Sequence, residues 1–142
     1  MQKTKATKAK EVKRSWHLLD AKGQILGRFS TRVAQLLMGK DKPNWAPYLD
    51  MGDYVVVVNA KHIAVTGKKE TQKVYYRHSG YPGGLKAETL GHLRQRRPEE
   101  IVRRAVKGML PKGKLGRKMI TKLYIYRGVE GEMVAKASVK EA

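Results

Sequence analysis

The chain has 142 residues, the usual size of one compact domain, and 31 Lys and Arg residues against 12 Asp and Glu residues give a net charge of +19. That excess is far above the roughly 2 to 8 charges that keep a small domain soluble, so the expected partner is a polyanion: a nucleic acid or an anionic membrane. Nucleic acid is favoured, because no run approaches the ~20 apolar residues of a bilayer span. The absence of cysteine excludes disulfides and zinc ribbons and predicts the cytoplasm or an organelle of similar redox state.

The first elements are a basic arm and a strand. Residues 1–14 contain six cations and one acid, Glu11, which predicts an arm that stays disordered until it meets a partner. A strand begins at Trp16 and ends at a turn containing Asp20 and Gly23.

A helix and a buried strand follow. Apolar residues at 29, 33, 36 and 37 lie on one face of a helix, and Gly39 is its predicted end. Two prolines make Lys40–Gly52 a loop. The β-branched run Tyr54–Asn59 is typical of a strand covered on both faces in a parallel sheet. The order of strand, helix and buried strand predicts an α/β layer structure.

The second half is more basic. Residues 63–66 form a predicted short strand ending at Gly67, and residues 68–97 are mostly polar, with a glycine-rich turn at Gly80–Gly84 and weak helical periodicity at 89–96. Pro98 opens a clearer helix, whose predicted apolar stripe is Val102, Val106 and Met109. Residues 123–126 are predicted to form a last strand, which ends at Gly128.

Charge distribution is the strongest functional signal. Residues 101–129 contain no Asp or Glu but nine Lys and Arg residues, so no neighbour in the sequence neutralises them. A solvated basic face is the ordinary interpretation of one such run. Here a second basic block at 68–97 and the arm repeat the bias, which favours phosphate binding.

Aromatic and glycine residues within the basic block favour RNA over duplex DNA. Tyr75, Tyr76, His78 and Tyr81 would stack on exposed bases, although tyrosine in a strand more often packs in a sheet. Gly83 and Gly84 either let the backbone approach RNA closely or simply form a tight turn.

No reaction centre is recognisable. Residues 108–115 fit seven positions of a P-loop, but Leu115 stands where a Ser or Thr hydroxyl is needed, and a helix pattern precedes the glycines. Asp50 and Asp53 flank Gly52 and are predicted to cap a turn rather than to perform acid-base catalysis. The four histidines are dispersed, without metal-ligand spacing. We predict neither catalysis nor a metal or other cofactor.

Within the acid-free segment of residues 101–129, the stretch Ala105–Gly128 resembles the signature of the bacterial large-subunit ribosomal protein L-thirteen family. Further blocks of the sequence agree in order, and the resemblance covers about residues 15–128. These blocks are Leu26–Arg28, Gly39–Lys40 with Lys42–Pro43, Asp50–Asp53, Asn59–Ala60, Val65–Lys69 and Lys73–Lys86.

The resemblance implies a three-layer α/β/α domain around a small, mainly parallel sheet. It also implies a structural constituent of the large ribosomal subunit that binds ribosomal RNA, joins early in assembly and contacts neighbouring large-subunit proteins, without a small-molecule substrate. The predicted organisation is an arm at 1–14, one domain at 15–128 and a tail at 129–142. In many relatives a histidine stands at the position of Tyr48 and a His-Pro-His stretch at that of Glu130–Val134, so contacts of those histidines are not carried over.

The charge pattern and the resemblance together select twenty candidate RNA-binding residues, with the basic residues of 68–86 and 107–122 first and the rings of 75–81 second. The candidates are Arg28, Lys40, Lys42, Lys68, Lys69, Lys73, Tyr75, Tyr76, Arg77, His78, Tyr81, Gly83, Gly84, Lys86, Lys107, Lys112, Lys114, Arg117, Lys118 and Lys122. A free-standing regulator that binds messenger RNA is the alternative function, since it shares the +19 charge. A nucleoid-type DNA binder is less favoured, because no recognition helix with a dimer interface is evident.

Overall fold

A computed structural model of the protein describes residues 6–141, with side chains described as far as residue 137. Three parallel strands, β1 (Trp16–Asp20), β2 (Tyr54–Val58) and β5 (Leu123–Ile125), form a sheet in the order β1-β2-β5. Strands β3 (Val74–His78) and β4 (Leu85–Thr89) form a separate antiparallel hairpin. The α/β class and the small parallel sheet predicted from the sequence are confirmed.

Six α-helices connect and cover the strands among the described residues. They are α1 (Leu26–Met38), α2 (Lys69–Gln72), α3 (Leu90–Arg96), α4 (Pro98–Met109), α5 (Lys114–Ile120) and α6 (Glu132–Glu141). Short 3-10 turns lie at Ala9–Glu11 and Ala60–His62.

The main core lies between one face of the sheet and helices α1 and α4. Because side chains alternate along a strand, Val55 and Val57 face these helices, where they pack with Val33 and Leu37 of α1. In α4 the buried side chains include Ile101, Val102 and Val106, whereas Met109 is 40% exposed. The predicted stripe was therefore wrong at Met109: Ile101 is buried in the core, whereas Met109 on the last turn of α4 lines an open groove on the surface.

The opposite face of the sheet carries an aromatic stack covered by α6. The ring of Trp16 lies 4.5 Å from that of Tyr54 and 5.9 Å from that of Tyr124, nearly parallel to both. Helix α6 lies along β1, with Ala137 fully buried, and its start is held by Met133 N–H, which donates to the Tyr126 hydroxyl at 3.2 Å. Helices on both faces give the three layers that the resemblance implies.

Two segments differ from the prediction. Residues 63–66 do not form a strand: only Ala64 makes a bridge, to Ile25, because the 3-10 turn before it leaves the chain beside α1 rather than along the sheet. The arm is ordered where described. Its Lys13 carbonyl accepts from Lys42 Nζ at 2.7 Å, and the Ser15 N–H donates to Asp53 at 2.9 Å. Residues 1–5 of the predicted arm lie outside the described residues.

Candidate nucleic-acid interface

The acid-free segment folds into α4, α5 and β5, and most of its cations reach solvent. Six are exposed and form no ion pair within the described part of the chain. One is Arg103 in the middle of α4, and the other five lie from the end of α4 onward: Lys107, Lys112, Lys114, Arg117 and Lys118. We call these five the α4–α5 surface. Three of them, Lys107, Lys112 and Arg117, line a shallow depression together with Pro111 and Gly116.

The loop between α4 and α5 is tightly folded, which fixes where these cations lie. Gly113 has φ +135°, in the region that favours glycine. A Cβ on Gly116 would lie 1.9 Å from the Pro111 carbonyl oxygen, so only glycine fits where α5 crosses the loop. A helix precedes these glycines, in contrast to the strand of a P-loop.

Lys122 is buried and Lys42 is half-buried, and the ammonium groups of both are engaged by the chain itself, so neither is part of the exposed candidate surface. Lys122 is 5% exposed; its Nζ donates to Asp50 Oδ1 at 2.5 Å and to the Gly52 carbonyl at 2.9 Å. Burial lowers the pKa of Lys122, although Asp50 opposes the shift. Lys42 donates to Asp53 Oδ1 at 2.6 Å and to the carbonyls of Lys13 and Met51. Both lysines hold the turn Asp50–Asp53 in place.

Asp53 has a structural role: its carboxylate links the 42–53 loop to the residues at the start of β1. The residue is 6% exposed, and its carboxylate accepts hydrogen bonds from Lys42 and the Ser15 N–H, with His17 Nε2 3.0 Å from Oδ2. Burial alone would raise the pKa of Asp53, but these hydrogen bonds prevail and lower it below its usual value. No group of three potential metal ligands is present among the described residues.

The glycine-rich segment makes the turn of the β3–β4 hairpin. Gly84 N–H donates to the Tyr81 carbonyl at 2.9 Å, and Gly83 has φ +70°, so Pro82 and Gly83 are the central residues of a tight turn. A Cβ on Gly84 would lie 2.0 Å from Ser79 Oγ. The turn thus accounts for Gly83 and Gly84 without a close approach of RNA.

The hairpin separates the four candidate rings onto different sides. Tyr75 is half-buried, with Lys73 Nζ 5.3 Å and the Arg104 guanidinium 5.1 Å from its ring centre, and burial raises the pKa of its hydroxyl. Tyr76 and His78 lie on the opposite face, where Tyr76 is 65% exposed, and Tyr81 at the turn is 76% exposed. Cations therefore occupy the surroundings of Tyr75, whereas Tyr76, His78 and Tyr81 remain open to a base.

A pocket of about 280 Å³ lies between the Tyr75 face of the hairpin and helices α3 and α4, and we call it the hairpin pocket. Glu88 holds two of the side chains that line it, with Arg96 donating to Oε2 at 2.6 Å and His92 Nδ1 2.7 Å from Oε1. Its lining consists of Tyr75, Arg77, Lys86, Ala87, Glu88, His92, Arg96 and Arg104.

The hairpin pocket and the α4–α5 surface are joined through α4. Arg104 lines the pocket and Lys107 lines the depression near α5, and residues three apart on a helix are neighbours on its surface. The two basic blocks of the sequence therefore form one cationic strip. Arg96 and Arg104 are not among the candidates predicted from the sequence. The spacing of three between Arg104 and Lys107 within a predicted helix is a signal that could have identified Arg104.

The remaining candidates are exposed but lie outside this strip. Lys69 and Lys73 border an apolar groove between α1 and α4 that contains Met109, and Lys40 Nζ lies 5.9 Å from the ring centre of Trp45. Arg28 on α1 and Lys68 before α2 are also exposed.

No helix among the described residues has the length and apolar character to span a membrane.

Comparisons with known proteins match almost the whole chain. Residues 14–132 match the family described as Ribosomal protein L13. A relative from Thermosipho africanus, named large ribosomal subunit protein uL13, is 57% identical over 130 residues, which cover 92% of this chain and 87% of the relative. Proteins of the same name are 56% identical in Roseiflexus sp. (strain RS-1), over 89% of this chain and 86% of the relative, and 52% identical in Synechococcus elongatus, over 92% and 86%.

Proposed function

Because the chain belongs to the ribosomal protein L13 family, we propose that it binds ribosomal RNA in the large subunit and supports early assembly of that subunit. The family consists of structural ribosomal proteins, so the chain is not an enzyme, as its sequence predicts. We also propose that the chain contacts neighbouring large-subunit proteins. We propose that it lies in ribosomes of the cytoplasm or of a bacterial-type organelle.

The observation that supports RNA binding is the cationic strip along α4. Apart from Arg96 and Arg104, which pair with Glu88 and Glu100, its lysines and arginines form no ion pair in the described chain. Phosphates are therefore the groups that would neutralise them, with release of the counterions condensed on the RNA. The parallel sheet and its two helical layers hold these cations in a fixed arrangement. A fixed arrangement suits folded RNA, whose backbone shape supplies selectivity that charge alone does not.

The domain division is part of this proposal. Residues 15–128 contain the sheet, the hairpin and the whole cationic strip, and we propose them as the RNA-binding domain. The arm at 1–14 and the tail at 129–142 are extensions, of which the described parts pack on the 42–53 loop and on β1.

A reconstitution experiment tests the proposal. Large-subunit particles assembled without this chain are mixed with it over a range of salt concentrations, using the wild type and a variant with Lys112, Lys114, Arg117 and Lys118 all changed to Gln. We expect the wild type to bind with a steep salt dependence and the variant to lose affinity and part of that dependence. Equal binding of the two proteins would remove the α4–α5 surface from the proposal. Stable binding to a messenger RNA, without uptake into the particle, would favour the regulator instead.

A further inference from the structure

Arg77 and Lys86 lie directly opposite each other in the hairpin, on the face that lines the hairpin pocket. Side chains paired in this way have Cβ atoms about 4.5 to 5.5 Å apart, and like charges at that spacing destabilise the hairpin. Neither side chain has an ion-pair partner in the part of the chain that the structure describes. The hairpin therefore carries a repulsive pair in its free state.

The carboxylate in the pocket does not relieve this repulsion. Both oxygens of Glu88 are engaged, one by Arg96 at 2.6 Å and the other by His92 at 2.7 Å. The Arg104 guanidinium lies over the Tyr75 ring and donates to Glu100 at 3.3 Å. The pocket is thus lined by four lysine and arginine side chains and one carboxylate, Glu88, whose two oxygens already contact Arg96 and His92. The four are Arg77, Lys86, Arg96 and Arg104.

We propose that the hairpin pocket is a binding site for a single phosphate group, which bridges the Arg77 guanidinium and the Lys86 ammonium. Arg96 and Arg104 lie beside the same pocket, where Glu88 and the Tyr75 ring fix their positions. This inference rests on the proposed function and names which phosphate contact the hairpin makes. In the ribosome the group would be a phosphodiester of the RNA, and free inorganic phosphate has the same chemistry.

The size and the aromatic surroundings of the pocket support a phosphate rather than a base. Its volume of about 280 Å³ is just below the roughly 300 to 1,000 Å³ of small-molecule pockets, so it accepts a phosphate with part of its ribose. Lys73 and Arg104 already lie against the Tyr75 ring, so a base that stacked on this ring would compete with two cations of the chain. Bases would instead meet Tyr76 on the opposite face.

The proposal predicts two opposite effects of one substitution. Lys86→Gln removes the repulsion in the free protein, so the variant unfolds at the same temperature as the wild type or higher in chloride. It also removes one of the two cations that bridge the phosphate, so stabilisation by phosphate falls. A lysine that only supports the fold would not give this combination.

Thermal unfolding of the full chain is measured in sodium chloride and in sodium phosphate at the same pH and ionic strength. We expect phosphate to raise the wild-type Tm by about 2 to 4 °C more than it raises that of K86Q. R77Q should behave like K86Q. K22Q, which changes an exposed lysine in the β1–α1 turn, should behave like the wild type and corrects for the general effect of phosphate on folded proteins. Equal gains in the wild type, K86Q and R77Q would overturn the proposal.

Binding to large-subunit particles that lack this chain identifies the source of the phosphate. Loss of one phosphodiester contact in K86Q would reduce the slope of log K against log salt by about 0.7 to 0.9. A Tm effect with an unchanged slope would overturn the assignment to RNA and leave a site for free phosphate. If the four-fold α4–α5 variant loses binding but K86Q does not, the pocket assignment alone fails. If the wild type itself does not bind these particles, the proposed function fails as well.

Discussion

Lys122 Nζ lies 2.5 Å from Asp50 Oδ1, although the two residues are 72 positions apart in the sequence. This ion pair ties the end of α5 and the start of β5 to the turn before β2. Arg14 Nη2 lies 3.6 Å from the other oxygen of Asp50, so the arm contacts the same turn. The contact explains why one lysine of a basic segment is buried and not exposed on the surface.

Removing the buried lysine should destabilise the fold. Lys122→Met leaves Asp50 in a largely buried position with only the longer contact to Arg14, and loss of one partner of a buried pair costs about 3 to 5 kcal/mol. We expect about 3 kcal/mol, because Arg14 remains. Urea unfolding monitored by tryptophan fluorescence measures the change, with Lys118→Met on exposed α5 as the control. Equal stability of the two variants would contradict the structural role of Lys122.

Asp53 should make the protein sensitive to acid. Its pKa in the folded state is lowered, so the unfolded state, with a carboxyl pKa of about 3.9, takes up the proton first as the pH falls. The stability that Asp53 contributes is thus fully present above that pH and is lost as the pH drops through the lower folded-state pKa. Urea midpoints between pH 7 and pH 3 should fall less steeply for Asp53→Asn than for the wild type. The exposed Asp41→Asn variant serves as the control, and parallel curves for Asp53→Asn and the wild type would refute this assignment.

Gly52 is required by close packing and not by its backbone angles. A Cβ there would lie 1.6 Å from the Leu37 carbonyl oxygen, whereas a Cβ on Gly27 would meet no atom within 4 Å. Gly52→Ala should therefore cost at least about 3 kcal/mol, among the larger effects of single substitutions. Gly27→Ala, in the first turn of α1, should be neutral or stabilising by up to about 1 kcal/mol. Chemical unfolding of both variants checks the pair, and similar costs at the two positions would contradict the close contact.

The neighbouring Tyr75 and Tyr76 should differ in what they affect. Tyr75→Ala removes a half-buried ring against α4 and should reduce stability by about 2 kcal/mol, roughly half the cost of a fully buried aromatic side chain. Tyr76→Ala should leave stability nearly unchanged and weaken binding to the large-subunit particle by about 1 to 3 kcal/mol, if its ring stacks on a base. Unfolding and particle binding are measured for both variants. A loss of stability but not of binding in Tyr76→Ala would assign that ring to the fold.

Local patterns in the sequence predicted the sheet and its main helices well. The β-branched run at 54–58 and the helical spacing of residues 29–37 each report burial directly, so β2 and α1 were confirmed with their ends within a few residues. The resemblance to the L-thirteen family was also confirmed by the comparisons. The hairpin strands within residues 74–89 were not predicted, because a two-stranded ribbon with little buried surface has no strong alternation of apolar and polar residues.

The candidate interface was harder to predict than the fold. Net charge correctly indicated a basic surface, but charge does not report which cations are paired over long distances. Asp50 and Asp53 lie far in sequence from Lys122 and Ser15, so only the three-dimensional structure places Lys122 inside. In the same way, the pairing of Arg77 with Lys86 depends on the hairpin register, which the sequence alone did not supply.

Sedimentation of cell extracts tests the central claim that the cationic strip holds this protein in the large subunit. The wild type and the four-fold variant of Lys112, Lys114, Arg117 and Lys118 are each expressed as the only copy and followed through a gradient at low and at high salt. We predict that the wild type comigrates with the large subunit at both salt concentrations, and that the variant, although folded, accumulates in incomplete particles and leaves them at high salt. Full comigration of the variant at high salt, with a normal yield of large subunits, would contradict the account.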